Sequence, residues 1–321
     1  MACFPKTLQP AVNRFFAILY TAAALYLTFL LLRFPTLSLE YAKTGLMLWF
    51  TKMVPVLLPF MILSGIMIRM NLTERFVGLL HPLLHGLYGV SKNGSYVILM
   101  GFLCGFPMGA RIIGELLETD KLSGRESALL LYFCNNIGPI YFLSYVVPTL
   151  GLKKTLVPFC IMYGVPLLYG SALFRMPRPS RRAKNTYGSS SLSKSRDNAV
   201  AMPLLSAVDS SVSSGLLGIA KLGGYMVFFN LLNICFVPFS DLPPFLPKLY
   251  NCMLEITSGI DRVGQSMPYL VLIMLPFGGF SCIAQTYSMI CHTNLSIRPY
   301  VLHKLAQTGL TALIYLLLRP F

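Results

Sequence analysis

The chain has 321 residues, 55% of them hydrophobic and only 12% charged, with a mean hydropathy of +0.66. That charge is about half of what a soluble domain carries, which excludes a soluble enzyme or binding module and implies an all-α integral membrane protein. The formal net charge of +15 sits mostly in loops, where Lys and Arg orient a membrane protein rather than bind nucleic acid.

Taken in order, Phe15 to Leu32 is an 18-residue apolar run. It is too long for a signal-peptide core and no small-residue cleavage site follows Arg33, so it reads as the first span. Glu40, Lys43 and Lys52 punctuate the next stretch, which predicts an interfacial helix over Tyr41 to Thr51 and a second span over Met53 to Ile68. Phe76 to Val90 is apolar but too short to cross a bilayer. Ser95 to Lys121 carries a Gly/Pro break and a polar end, the pattern of a re-entrant hairpin. Ser123 caps a helix that runs to Val147 and is interrupted by Asn135-Asn136-Ile137-Gly138-Pro139. In lipid, backbone groups freed by such breaks must be satisfied by protein or trapped water, so two breaks this close point to a site.

Thr155 to Phe174 is a further span. Over residues 175–202 seven basic residues stand among serines and prolines against one acid, Asp197, the composition of a flexible cytoplasmic linker. Residues 207–222 read as amphipathic and interfacial, and Gly223 to Phe239 as a span. Lys248 to Ile260 is a short segment whose Glu255 reads as exposed at the outer surface. Met267 to Cys291 reads as a second re-entrant hairpin broken at Pro276-Phe277-Gly278-Gly279, and Pro299 to Leu318 as the last span.

The two halves align in order. Gly105 to Arg111 matches Gly279 to Gln285, Leu122-Ser123-Gly124-Arg125 matches Leu295-Ser296-Ile297-Arg298, and Asn135 and Asn136 fall opposite Thr308 and Gly309. The expected architecture is therefore two inverted repeats, each with a re-entrant helical hairpin and a broken transmembrane helix. It amounts to about six full spans, each of ordinary length, plus two hairpins. The boundaries are an N-terminal span (1–40), a first repeat with its connecting span (41–174), a basic linker (175–206) and a second, inverted repeat (207–321). A cytoplasmic linker puts both termini in the cytoplasm and leaves the inner loops with the larger share of Lys and Arg.

The blocks GFPMGAR (105–111), LSGRESALLLYFCNN (122–136) and FGGFSCIAQ (277–285) resemble the Gate-domain (nucleoside recognition) membrane proteins, and within them the YlbJ-like sporulation integral membrane proteins. The resemblance implies a fold related to the concentrative nucleoside transporters, with a solute site between two hairpin tips and two unwound helices. It also implies passage of a small aromatic dicarboxylate such as dipicolinate, or of a nucleoside-like solute, across a cell or forespore membrane. The chain departs from the family pattern at Cys104 and in FCNNIGP, which bears on the solute rather than the fold.

The expected substrate-binding set is Gly105, Pro107, Gly109, Arg111, Asn135 and Asn136 in the first half. Gly279, Ser281, Gln285, Gln307 and Thr308 are its counterpart in the second. Arg111 has two readings: a planar fork for a carboxylate, or an internal ion pair with Glu115 or Glu118. The two asparagines offer donors and acceptors to a solute, or satisfy backbone freed by Pro139. The glycines allow close backbone approach. Glu255 and Thr257 are candidates for a coupling cation, although the ion itself is not legible. The eight cysteines and the His81/His85 pair show no metal-ligand spacing, and no catalytic constellation stands out. The expectation is a non-enzymatic carrier without cofactor or metal, whose partners are a small solute and the bilayer; self-association is left open. The rival is a membrane scaffold or ligand sensor of a sporulation assembly.

Overall fold

The computed structural model describes residues 9–176, 203–239 and 243–318, so most of the expected basic linker lies outside the described residues. Among the described residues all regular structure is helical. Helix α1 (Gln9–Arg33) is apolar all round, with Leu25 and Leu32 67% and 78% exposed, as suits a surface that faces lipid rather than water. Among the described residues six segments are long and apolar enough to cross a membrane: Arg14–Arg33, Pro35–Arg69, Leu156–Arg175, Leu204–Pro238, Pro268–Ile290 and Ile297–Leu318.

The expected interfacial helix at 41–51 is instead continuous with the next span. Helix α2 (Pro35–Leu48) passes through a π-turn (Trp49–Met53) into α3 (Val54–Arg69). A proline ring clashes with the carbonyl four residues earlier. The π-turn widens the helix around Thr51, where Pro55 would otherwise collide, and the chain continues without breaking. Two short helices, α4 (Thr73–Phe76) and α5 (His81–Tyr88), follow.

Helices α6 (Lys92–Cys104) and α7 (Met108–Glu118) pack side by side as a hairpin that turns at Gly105–Pro107. Ser91 caps α6, accepting from the Gly94 amide at 3.0 Å. Helix α8 (Gly124–Phe133), capped by Ser123, ends at an unwound stretch (134–138). It resumes as α9 (Pro139–Tyr141), a second π-turn (Phe142–Val146) ahead of Pro148, and α10 (Val147–Thr149). Helix α11 (Leu156–Arg175) closes the first half.

Residues 207–222 are not an interfacial helix either. They belong to α12 (Leu204–Leu231), which runs on through a 3-10 segment (Leu232–Phe239). The serines and glycines that read as a polar face are the packing face. Ser211, Gly215 and Gly218 are buried, the first two against α3 and Gly218 beside Met61 of α3 and Arg111 of α7. Small residues at such seams let helices approach closely in membranes.

The second hairpin also differs from expectation. It is built by α13 (Phe245–Leu254) and α14 (Ile256–Val263), which pack along each other and turn at Glu255. Helices α15 (Pro268–Met274) and α16 (Gly279–Ile290), expected to fold back as a hairpin, do not pack side by side. They form one crossing segment interrupted at 275–278. Helix α17 (Ile297–Leu318) is unbroken, so the expected second break opposite Asn135 is absent there. Each half thus presents the order long helix, hairpin, interrupted helix, long helix: α3, α6–α7, α8–α10, α11, and then α12, α13–α14, α15–α16, α17.

Candidate functional site

The two hairpin turns and the two interruptions meet. Gly101, Gly105 and Gly109 bring the first hairpin against the unwound 134–138 backbone, closely enough that a β-carbon at any of them would strike it. Gly105 also has φ +89° and ψ −172°, a region essentially restricted to glycine. On the other side, Gly279 (φ +83°) lies under the carbonyls of Cys252, Met253 and Leu254, at the end of α13. Phe106, at the first turn, reaches across to Gly278 at the second interruption.

A cavity of about 40 Å³, partly open to solvent, lies at this junction. The first hairpin contributes Cys104, Gly105 and Phe106, and the first interruption Ile137, Gly138 and Tyr141. The second hairpin contributes Glu255, Ile256 and Thr257, and α16 contributes Cys282 and Gln285. Helix α12 and the π-turn/α3 segment close it, with Lys52 at the exposed rim. The Lys52 ammonium lies 5.2 Å from the centre of the Tyr145 ring. A concave, largely apolar space with a few convergent polar groups is the usual form of a small-molecule site.

Glu255 is buried rather than exposed at the outer surface, with 1% of its area accessible. Its carboxylate accepts from the backbone N–H of Thr257 at 3.1 Å and of Ser258 at 2.7 Å. It is therefore the N-cap of α14, and the unsatisfied donors of that helix end explain how an acid is tolerated there.

Behind the cavity wall lies a second polar group. Asn135 donates to Thr286 Oγ1 at 2.8 Å and to Tyr300 Oη at 3.1 Å. Asn136 donates to the Phe133 carbonyl at 2.6 Å and accepts from Lys304 Nζ at 2.7 Å. These contacts tie the first interruption to α16 and α17. Asn135, Asn136, Lys304 and Thr286 are fully buried.

Of the expected substrate-binding residues, Gly105 and Gln285 line the cavity. Pro107 lies in the first turn and Gly109 packs on Cys134 and Asn135. Gly279 supports the second hairpin. Ser281 is buried and accepts from Gln285 Nε2 at 2.9 Å. Gln307 donates to the Tyr132 carbonyl at 2.7 Å, and Thr308 Oγ1 to the carbonyl of Lys304 in its own helix at 2.9 Å.

Arg111 is not among the lining residues. It forms a 2.9 Å ion pair with Glu115 and donates to Ser214 of α12 at 3.0 Å. The internal ion pair, one of its two compatible readings, is present. His81 and His85 each bond a neighbouring element, Ser95 Oγ and the Val90 carbonyl, both at 2.9 Å.

Lys304, Phe106, Tyr141, Thr286 and Tyr300 escaped the sequence reading. Lys304 carried a usable signal, a charged residue within an apolar 22-residue helix, which by default marks a functional position in a membrane.

Residues 50–153 match the family model described as Gate, nucleoside recognition. The chain is 26% identical to the sporulation integral membrane protein YlbJ of Bacillus subtilis (strain 168), over 337 aligned positions covering 94% of this chain and 82% of the relative. The resemblance read from the GFPMGAR and FCNN blocks is thus borne out. No solved structure matches the chain significantly.

Proposed function

We propose that this integral membrane protein, whose residues 50–153 carry the Gate domain, is a carrier. It moves a small polar solute by alternating access, either an anionic aromatic one such as a dipicolinate-like dicarboxylate or a nucleoside-like molecule. The observation that carries the reading is the cavity at the junction of both hairpin turns and both interrupted helices. Secondary transporters bind their solutes where discontinuous helices meet between two structural repeats. A pair of inverted halves would let each hairpin gate one side, with Gln285 and the backbone freed around Gly105 and Gly138 contacting the solute.

A basic linker in the cytoplasm puts the N-terminus there too, four crossings earlier, whereas the three crossings of α12, α15–α16 and α17 put the C-terminus on the opposite side, so the expectation of two cytoplasmic termini does not go with this order of helices. A relative named for sporulation supports a role in that process and a location in the cell or forespore membrane. Catalysis has no part in the reading.

Uptake into proteoliposomes is the test, with dipicolinate and a panel of nucleosides as probes. Saturable flux above empty vesicles is expected for at least one of them. Binding without flux would replace the carrier with a ligand-sensing scaffold of a sporulation assembly.

A further inference from the structure

We propose that Lys304, rather than Arg111, is the charge-recognition residue of the cavity, and that the group it binds is a carboxylate on the solute. The inference rests on the carrier reading and adds a residue and a ligand class to it. The side chain of Lys304 is fully buried on α17. Its ammonium has three donors and no acceptor, yet its hydrogen bond among the described residues goes to a neutral partner, Asn136 Oδ1, at 2.7 Å. The other contacts are the faces of Phe106 and Tyr300, with ring centres 5.1 and 5.8 Å from Nζ.

No carboxylate among the described residues forms an ion pair with it. Glu115 is taken by Arg111, and both oxygens of Glu255 accept from the α14 backbone. Buried charges in membranes face the bundle interior and are paired. Lys304 therefore lacks a counter-charge that an anionic ligand would supply, whereas Arg111 already has one. The position suits the role, because Phe106 is at once a wall of the cavity and the cover over Nζ. A shift of the first hairpin turn would uncover the ammonium to the solute. The flexible four-carbon stem lets the ammonium leave Asn136 and follow.

Binding to the full chain in nanodiscs tests this, read from thermal stabilisation. The probes are benzoate and pyridine-2,6-dicarboxylate, with benzamide as the uncharged counterpart of benzoate and uridine as a neutral nucleoside. The wild type is expected to respond to a carboxylate and not to benzamide, and Lys304→Met to bind that carboxylate about tenfold more weakly or worse, as for a lost charged hydrogen bond. Asn136→Asp leaves the lysine in place and supplies an internal counter-charge, so it too should weaken carboxylate binding. It keeps the test decisive if Lys304→Met does not fold.

Unchanged carboxylate binding in Lys304→Met or in Asn136→Asp overturns the inference. So does an equal response to benzamide, or no response to either carboxylate. Stabilisation or flux with uridine in those cases leaves the carrier reading standing, and silence from every probe in both binding and flux removes both.

Discussion

Replacing Gly105 with alanine imposes two conflicts on the first hairpin turn. At φ +89° and ψ −172° the backbone occupies a region that costs a side-chain-bearing residue about 1–3 kcal/mol. The new β-carbon would also lie 2.5 Å from the Gly138 nitrogen, 3.1 Å from its Cα and 3.3 Å from the Asn136 carbonyl oxygen. These neighbours are backbone and cannot rotate away, so overpacking adds about 1–3 kcal/mol. The sum, about 2–6 kcal/mol, is a large part of the stability of an ordinary domain.

Thermal unfolding can follow Trp49, the one tryptophan of the chain. Its indole donates to the Ile219 carbonyl at 2.8 Å and so reports the seam between the α2–α3 segment and α12. Gly309→Ala is the control, since Gly309 lies inside α17 with no neighbour within 4 Å of an added β-carbon. Alanine should be neutral or slightly stabilising there. Equal melting of the two variants would refute the reasoning, because it would mean that the first hairpin turn does not press on the interrupted helix.

Arg111→Ala should destabilise by about 1–3 kcal/mol, because it leaves the partly buried Glu115 carboxylate without its 2.9 Å partner and a charge-assisted hydrogen bond unmade. Arg111→Met with Glu115→Leu should recover most of that loss in the same melting assay, and failure to recover would show that Arg111 acts beyond the pair. Ser123→Ala removes the α8 cap, whose hydroxyl accepts from the Glu126 amide at 3.3 Å. The expected loss is about 1 kcal/mol, readable as faster exchange of the α8 N-terminal amides. Glu255→Ala should cost about as much at α14, while Glu255→Gln, which keeps an acceptor for the Thr257 and Ser258 amides, should melt closer to wild type.

The first hairpin and the α8 interruption were legible because glycine, proline and asparagine stand out against apolar surroundings. The second hairpin was not. It turns at Glu255, flanked by ordinary helix-forming residues, and a lone acid in a short segment resembles a surface position until the backbone donors that it caps are seen. Conversely, Pro276 to Gly279 looked like a hairpin turn because a Gly/Pro break has one signature in sequence but two outcomes in space. Whether the flanking helices fold back or continue depends on what they pack against, and that information lies on distant segments.

The same limit explains α12, whose Ser211, Gly215 and Gly218 form a packing face for α3 and Arg111 that composition presents as a polar one. It explains Lys304 as well. Its charge within an apolar helix is visible in the sequence, but its burial follows from the packing of α17 against α8 and α16. Arg111 and Glu115 lay one helical turn apart and were legible as a pair from spacing alone.

The most direct test of the cavity as the solute site uses cysteines already in the chain. Cys104 and Cys282 line it and are buried, whereas Cys160 and Cys291 are exposed. Alkylation by a small membrane-permeant thiol reagent, mapped by mass spectrometry in proteoliposomes, should reach Cys104 and Cys282 as the protein opens. A transported solute should slow it at those two positions and leave Cys160 and Cys291 unaffected. Modification of Cys104 and Cys282 that proceeds at the same rate with every transported solute would contradict the assignment of the site.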